Sequence, residues 1–289
     1  MPVAMKTEKS SWRLCEGDEI APGRTVVRPM GGGERFEVYL AWEDRMFSLV
    51  VAKLLRPDRV DNERSRRALD REARLLERLA HPVLLRGFGA VPDGPRPHLL
   101  LEHLEGPTLR SLIKRGPVSP EQLAPTAVAL AGALHYLHGE GVVHLDIKPA
   151  NVLMGMPPRL IDLSLARRVE RATATRVAVG TPSYMPPEQL DPLNRGPMGP
   201  PADVFGLGAT LYHAAAARKP FSSRRVEPWL DAEPPPLPAD VPSGLAEPIL
   251  ACLRPNPAER PTARELAVGL EPVAERLGAR RRNGRWRRR

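Results

Sequence analysis

The chain has 289 residues, of which 42% are hydrophobic and 27% charged, and these proportions are ordinary for a soluble globular protein. It contains two cysteines, Cys15 and Cys252, which excludes a disulfide framework and favours a reducing, cytoplasmic location. No apolar run reaches the roughly 18 residues of a membrane span, and arginines in residues 280–289 carry most of the net charge of +9.

The chain is predicted to begin with an N-terminal extension, residues 1–23, followed by strands. β-Branched and aromatic residues predict three strands, at Val26-Val27, Phe36–Trp42 and Phe47–Leu55. Three glycines, Gly31-Gly32-Gly33, separate the first two strands. A glycine-rich turn of this kind lets backbone amides approach phosphates, although a plain hairpin turn also favours glycine.

Residues 61–80 are predicted to form a helix with an apolar stripe at Leu69, Ala73, Leu76 and Leu79. Glu72 lies within this stripe, and a carboxylate on an inward face needs a cation. The preceding strand presents Lys53 among apolar residues, so we expect an ion pair between Lys53 and Glu72. The alternative is that Glu72 lies at the edge of the stripe and is solvated.

Helices and loops dominate the rest of the chain. Leu99–Leu101 is predicted to be a short buried strand, and a helix is expected to begin after Ser119 and to reach about His138. A proline-rich connector follows at residues 228–242. Strands first and helices afterwards predict an α+β protein with two lobes.

A cluster of polar side chains within residues 143–151 points to phosphoryl chemistry. His144, Asp146, Lys148 and Asn151 fit the spacing H-x-D-x-K-x-x-N. A carboxylate that accepts a hydroxyl proton, an ammonium that neutralises phosphate and an amide that holds a metal can converge from such a loop. Farther on, Asp162 ends a short apolar run, which suits Mg²⁺ bound mainly through substrate phosphates.

These motifs, with Gly180–Glu188, Asp203–Gly208 and Arg260-Pro261-Thr262 in order behind them, resemble the eukaryotic-like serine/threonine protein kinases of bacteria over about residues 24–272. The resemblance implies an α+β, bilobal protein kinase fold that binds ATP between its lobes. It places a small β-rich N-lobe at residues 24–104 and a larger helical C-lobe at residues 105–272, and it leaves a basic tail at 273–289.

The resemblance also implies roles for individual residues. Those expected to bind ATP are Gly31, Gly33, Val38, Ala52, Lys53, Leu101, Glu102 and Leu104, with Glu72 orienting Lys53. Those expected to act on the transferred phosphate are Asp146 as catalytic base, Lys148 as a γ-phosphate contact, and Asn151 and Asp162 as ligands of Mg²⁺ or Mn²⁺. Thr181 is expected in the segment that binds protein substrates through their Ser or Thr residues. Structural support is expected from Asp203 and from a Glu188–Arg260 pair.

Four positions depart from the family pattern. Phe36 replaces the third glycine of the glycine-rich loop, and Leu163-Ser164 replaces the usual Phe-Gly after the metal-binding Asp. Pro187 replaces Ala before Glu188, a change we interpret as minor. Leu145 replaces the Arg that meets a phosphorylated activation segment, so we expect activity without phosphate on Thr173 or Thr175.

Two alternative interpretations remain open. Phe36 and Leu163-Ser164 are compatible with a pseudokinase, an ATP-binding scaffold that transfers nothing. The arginine-rich tail has a separate alternative, in which it binds nucleic acid or the surface of an anionic membrane; otherwise it is a solvated terminus.

Overall fold

The structure is a computed structural model that describes residues 10–221 and 233–286, with side chains described as far as residue 278. The chain divides into two compact units, Met1–Ala80 with Leu85–Leu104, and His81–Leu84 with Glu105–Arg289. Strands dominate the first unit and helices dominate the second, which confirms the predicted α+β class.

The first unit is built on a six-stranded antiparallel sheet. Its strands are β1 (Glu19–Ala21), β2 (Arg24–Gly32), β3 (Phe36–Glu43), β4 (Ser48–Leu55), β5 (Gly87–Val91) and β6 (His98–Glu102). Their order in the sheet is β1-β2-β3-β4-β6-β5. Helix α1 (Glu63–Arg78) packs against β4, β5 and β6.

The predicted strands and helix of this unit are confirmed with shifted ends. Strand β4 begins at Ser48 because Phe47, with φ 50°, belongs to the preceding turn. Strand β5 was not predicted, because two of its five residues, Gly87 and Gly89, are glycines, which weaken any strand pattern.

Alternation of side chains gives this sheet two different faces. On one face, Val50, Ala52 and Leu54 of β4 join a buried apolar cluster with residues of β2, β3 and β6. Leu14 and Ile20 complete that cluster, and Trp12 packs against it. The described part of the segment interpreted as an N-terminal extension therefore covers one face of the sheet.

The second unit is mainly helical. Its helices are α2 (Leu109–Ile113), α3 (Pro120–Gly139), α4 (Val169–Thr173), α5 (Pro187–Leu190), α6 (Pro200–Ala216), α7 (Ser243–Cys252) and α8 (Ala263–Trp286). Helix α3 packs along α8 and α6 and buries Leu123, Leu130, Leu134 and Leu137 completely. Ser119 precedes α3 as predicted, but its side chain makes no capping hydrogen bond.

Helix α8 continues past residue 272, where the basic tail was expected to start. Val273 and Leu277 are buried in its packing. The arginine side chains of residues 280–289 lie outside the described side chains. The alternative in which they bind nucleic acid or an anionic membrane therefore stays a hypothesis. Of the proline-rich connector expected at 228–242, residues 228–232 also lie outside the described residues.

Two short strand pairs fix the loops that carry the polar motifs. Strand β7 (Val142–Val143) pairs with β10 (Arg167–Arg168), and β8 (Val152–Leu153) pairs with β9 (Arg159–Leu160). These pairings place the ends of β7, β8 and β9 next to the polar residues between them. Within residues 10–221 and 233–286, no helix is both long and apolar enough to cross a bilayer.

Candidate active site

In the first unit, Lys53 and Glu72 form the ion pair that the sequence predicts. The Lys53 ammonium donates to both carboxylate oxygens of Glu72, at 2.9 Å to Oε1 and 2.8 Å to Oε2. Glu72 is 1% exposed and Lys53 is 8% exposed. Strand β4 and helix α1 thus bring together a cation and an anion that would each be costly to bury alone.

The glycine-rich segment differs from the simple turn expected at Gly31–Gly33. Gly31 and Gly32 are the last residues of β2, with φ of 113° and 159°, and Gly31 is paired with Val38. The turn is closed by Gly33, whose amide donates to the carbonyl of Phe36 at 2.9 Å. A side chain at residue 32 would collide with the Phe36 carbonyl oxygen, so the close approach of β2 and β3 requires glycine there.

The register of the sheet corrects one predicted site residue. Lys53 lies opposite Val38 and Leu99, and Val51 lies opposite Leu101, so these side chains share one face. Ala52 lies between Lys53 and Val51 in β4 and is fully buried in the cluster on the other face. The side chain of Ala52 therefore lies on the opposite face of β4 from Lys53, whereas the side chain of Val51 shares the face of Lys53.

The predicted nucleotide contacts Leu101, Glu102 and Leu104 lie in β6 or just after it. Leu101 is buried, whereas Glu102 and Leu104 are partly exposed at and just after the end of the strand. The Glu102 amide donates to the carbonyl of Arg86 at 2.9 Å, which fixes the backbone where β6 ends.

In the second unit, Asp203 holds the loop that follows β7. Its carboxylate accepts hydrogen bonds from the amides of His144 at 2.8 Å and Leu145 at 2.7 Å. It also lies 3.0 Å from Nε2 of His138. Leu145 has φ 63°, an unusual conformation for a branched residue, and these bonds stabilise it. The expected support of the loop by Asp203 is present.

Asp146, Lys148 and Thr181 form a compact hydrogen-bonded triangle. The Lys148 ammonium donates to Asp146 Oδ2 at 2.6 Å and to the Thr181 hydroxyl at 2.9 Å. The Thr181 hydroxyl donates to Asp146 Oδ1 at 2.7 Å. A carboxylate, an ammonium and a hydroxyl thus meet at one point, and the carboxylate is within the hydrogen-bond reach of a hydroxyl that a general base needs.

Asn151 and Asp162 are held close by the β8–β9 pair. Asn151 precedes β8 and Asp162 follows β9, and the Asn151 carbonyl accepts from the amide of Ile161 at 2.9 Å. The Asn151 side-chain nitrogen donates to the Asp146 carbonyl at 2.9 Å. Because the nitrogen side of the amide is directed at Asp146, its oxygen is the atom suited to a cation.

This donor set fits Mg²⁺ bound through one carboxylate, one amide oxygen and substrate phosphates. Within the described parts of the chain, no cluster of three or more His, Cys, Asp or Glu side chains forms a cage for a metal. Asp162 itself has φ 69°, and its Oδ1 accepts from the amide of Ser164 at 3.4 Å.

An apolar cluster surrounds Leu145, at the position where the family pattern has an arginine. Leu145 is buried with Val143, Ala172, Met198 and Ala202, and Val169 and Val179 pack against them. The segment that carries Thr173 and Thr175 is thus anchored by apolar contacts. Thr175 adds a hydrogen bond from Arg167 at 3.2 Å.

Two features near the loop that carries Asp146 were missed in the sequence. Gln189 of α5 donates from Nε2 to the carbonyls of Leu145, at 2.7 Å, and Val179, which joins the loop to the segment before Thr181. Tyr184 bonds to His213 Nδ1 at 2.8 Å, and burial raises the pKa of Tyr184 to about 12. No periodic pattern predicts Gln189 or His213, because their partners are distant in sequence.

A small pocket is lined by Leu145, Asp146, Ile147, Thr181, Tyr184, Met185, Gln189, Ala202, Asp203 and Gly206.

The predicted pair between Glu188 and Arg260 is present and fully buried. The guanidinium donates to both carboxylate oxygens, from Nη1 at 2.5 Å and from Nη2 at 2.9 Å. Arg260 also donates to the carbonyls of Arg254, Pro201 and Pro255. It therefore braces α5, the start of α6 and the loop after α7.

Comparisons with known proteins agree with this arrangement. The family described as Protein kinase domain matches residues 24–268. The chain is 39% identical over 220 residues to serine/threonine-protein kinase PkaA of Streptomyces coelicolor, an alignment covering 72% of this chain and 40% of that protein. It is 34% identical over 266 residues to probable serine/threonine-protein kinase PkwA of Thermomonospora curvata, covering 89% of this chain and 35% of that protein.

A third relative is serine/threonine-protein kinase PknB of Mycolicibacterium smegmatis, 30% identical over 266 residues, covering 85% of this chain and 42% of that protein. The chain therefore spans between 35% and 42% of the length of these three relatives.

Proposed function

Because the chain belongs to the protein kinase domain family, we propose that it transfers the γ-phosphate of ATP to Ser or Thr hydroxyls of protein substrates. The observation that carries this proposal is the triangle of Asp146, Lys148 and Thr181. In it a threonine hydroxyl already donates to the Asp146 carboxylate, which is the contact that a substrate hydroxyl needs before it loses its proton.

Asp146 is the catalytic base in this proposal. It accepts the proton of the substrate hydroxyl while that oxygen attacks the γ-phosphorus in line, and the phosphoryl group leaves ADP. Lys148, held 2.6 Å from Asp146, offsets negative charge on the transferred group. Asp203 contributes indirectly, because it fixes the backbone of the loop that carries both residues.

The first unit supplies the nucleotide-binding groups. Lys53, oriented by Glu72, contacts the α- and β-phosphates, and the backbone at Gly31 and Gly33 approaches the phosphates. Apolar contacts to the adenine come from the face of the sheet that carries Lys53. This assigns them to Val38, Val51 and Leu101 rather than to Ala52, with backbone groups of Glu102 and Leu104 hydrogen-bonding to the base.

Asn151 and Asp162 are the residues that would hold the divalent cation, Mg²⁺ or Mn²⁺. When bound, that cation neutralises charge on the phosphate oxygens. The orientation of the Asn151 amide, whose nitrogen donates to the Asp146 carbonyl, supports its oxygen as a ligand. The same hydrogen bond keeps the metal-binding amide and the catalytic base in one rigid loop.

Leu145 supports activity without phosphorylation of the activation segment. The family pattern has an arginine at residue 145 that pairs with a phosphate, whereas Leu145 belongs to an apolar cluster that already anchors the segment carrying Thr173 and Thr175. The phosphate-dependent ordering that other kinases use therefore has no arginine partner at residue 145.

The experiment that tests the proposed function compares the wild-type chain with Asp146→Asn. We expect the wild type to transfer label from γ-labelled ATP to a generic basic protein, and the variant to lose transfer while keeping its affinity for MgADP. Nucleotide binding without transfer in the wild type would identify a pseudokinase. Undiminished transfer in the variant would remove Asp146 from its assigned role.

A further inference from the structure

Phe36 lies directly against the ammonium of Lys53. The centre of its ring is 4.8 Å from Nζ, and Phe36 is 8% exposed. This residue stands where the family pattern has the third glycine of its glycine-rich loop. A side chain is thus present at a position where the family usually has none, and it covers the cation proposed to meet the nucleotide phosphates.

The sheet itself fixes this contact. Phe36 and Val38 are two residues apart in β3 and share a face, and Lys53 is the cross-strand partner of Val38. Phe36 is consequently the diagonal neighbour of Lys53, a distance that an aromatic ring can bridge. Hydrogen bonds fix the backbone on both sides of the Phe36 Cα, because the Phe36 carbonyl accepts from the amide of Gly33 and the Arg35 carbonyl accepts from the amide of Arg56, both at 2.9 Å.

An ammonium beside an aromatic face is stabilised electrostatically, most strongly where water is excluded. Glu72 covers one side of the Lys53 ammonium at 2.8 and 2.9 Å, and the Phe36 ring covers another. A phosphate oxygen needs to come within hydrogen-bond distance of the same nitrogen. The ring therefore occupies space beside Lys53 Nζ, and it makes an electrostatic contact with the ammonium that a phosphate oxygen would otherwise make.

We propose that Phe36 is a cap on Lys53, which the nucleotide phosphates displace on binding, so that residue 36 sets the affinity for nucleotide. The inference rests on the proposed function, because it takes Lys53 to be a phosphate contact. It identifies Phe36 as a positioning residue. In the absence of nucleotide the ring holds Lys53 against Glu72, and the ring is displaced when phosphate oxygens bind to Lys53.

The first test measures the affinity of the full chain for MgADP by calorimetry in four forms: wild type, Phe36→Leu, Phe36→Ala and Phe36→Gly. Loss of a cation–π contact of ordinary strength predicts that Phe36→Ala binds about threefold to thirtyfold more tightly. Phe36→Leu keeps an apolar side chain but has no aromatic face, so its affinity should rise less. Phe36→Gly could loosen the turn, and Phe36→Ala separates that effect from loss of the cap.

The second test does not depend on nucleotide binding. In the nucleotide-free chain, the ring should shift the signals of the Lys53 ε-methylene protons, which are assignable because the chain has six lysines, Lys6, Lys9, Lys53, Lys114, Lys148 and Lys219. The shift should vanish in Phe36→Leu and on addition of MgADP to the wild type. The surface lysine Lys114 should show neither change.

The outcomes separate the cap from the proposed function. A wild type that binds MgADP and transfers phosphate, with equal or weaker binding in Phe36→Ala, overturns the cap alone. A Lys53 signal that is the same in wild type and Phe36→Leu also overturns it. Absence of transfer in the wild type, together with the predicted change in the Lys53 signal, leaves the capping contact standing and rejects the kinase activity.

Discussion

Replacing Arg56 by alanine is expected to destabilise the first unit strongly. The Arg56 guanidinium donates to the carbonyls of Gly33 at 2.8 Å and Ser10 at 2.9 Å, and to Oε1 of Glu37 at 2.8 Å. It thus ties the segment before β1 to the glycine-rich turn. Glu37 is buried, and its other carboxylate oxygen accepts from the hydroxyl of Tyr39 at 2.6 Å.

The size of the effect follows from what the substitution leaves behind. Removing one partner of a buried ion pair costs about 3–5 kcal/mol, because the remaining charge is buried without compensation. Glu37 retains the Tyr39 hydroxyl and the amide of Trp12 as donors. We therefore expect the low end of that range, about 3 kcal/mol for Arg56→Ala. Burial and the bond to Glu37 raise the pKa of Tyr39 to about 12, so its hydroxyl stays a donor across the accessible pH range.

Hydrogen exchange of the β3 and β4 amides measures this loss within the first unit. The matched control is Arg67→Ala, which removes the same kind of pair with Glu63, where the two side chains are 72% and 76% exposed. An exposed pair of this type contributes no more than about 0.5 kcal/mol. Losses in the free energy of unfolding that differ by less than about 1 kcal/mol between Arg56→Ala and Arg67→Ala would contradict the role given to the buried pair.

Three further predictions follow from the same structure. Thr173→Ala combined with Thr175→Ala should change the rate of phosphate transfer by less than about threefold. A collapse of the rate would contradict the interpretation that Leu145 makes activity independent of phosphate on these threonines. Arg260→Ala should destabilise the second unit by about 3–5 kcal/mol in thermal unfolding, and a cost similar to that of Arg67→Ala would count against the buried pair. Burial lowers the pKa of His98, so the unfolded chain binds a proton more readily and stability should fall as pH drops through about 6.5, by up to about 1.4 kcal/mol between pH 7.5 and 5.5. His98→Gln should flatten that dependence, and an unchanged slope would assign it to other groups.

The sequence was sufficient to predict the Lys53–Glu72 pair and the convergence of Lys148 and Asn151 on Asp146. In both cases an isolated charged residue interrupts an apolar pattern or a motif with fixed spacing, and local structure alone then determines which way it points. The Glu188–Arg260 pair came only from the family resemblance, because nothing in the local pattern joins residues 72 positions apart.

Other features depend on long-range pairing that no local pattern encodes. Ala52 was assigned to the nucleotide from the family resemblance, but adjacent residues of a strand face opposite sides, and Val51 is the neighbour that shares a face with Lys53. Residues 10–18 have little strand character, and Leu14 and Trp12 among them pack on a sheet face that is formed by later parts of the chain. Strand β5 is similar, since its glycines are acceptable only because β6 supplies the pairing.

The central claim is that Lys53, Asp162 and Asp146 serve one phosphoryl transfer. Its most direct test measures γ-phosphate transfer and MgADP affinity side by side in the wild type, Lys53→Met, Asp162→Asn and Asp146→Asn. We expect that all three variants lose transfer, that the first two also bind MgADP more weakly, and that Asp146→Asn binds it as the wild type does. Transfer that persists in any of the three variants would contradict this claim.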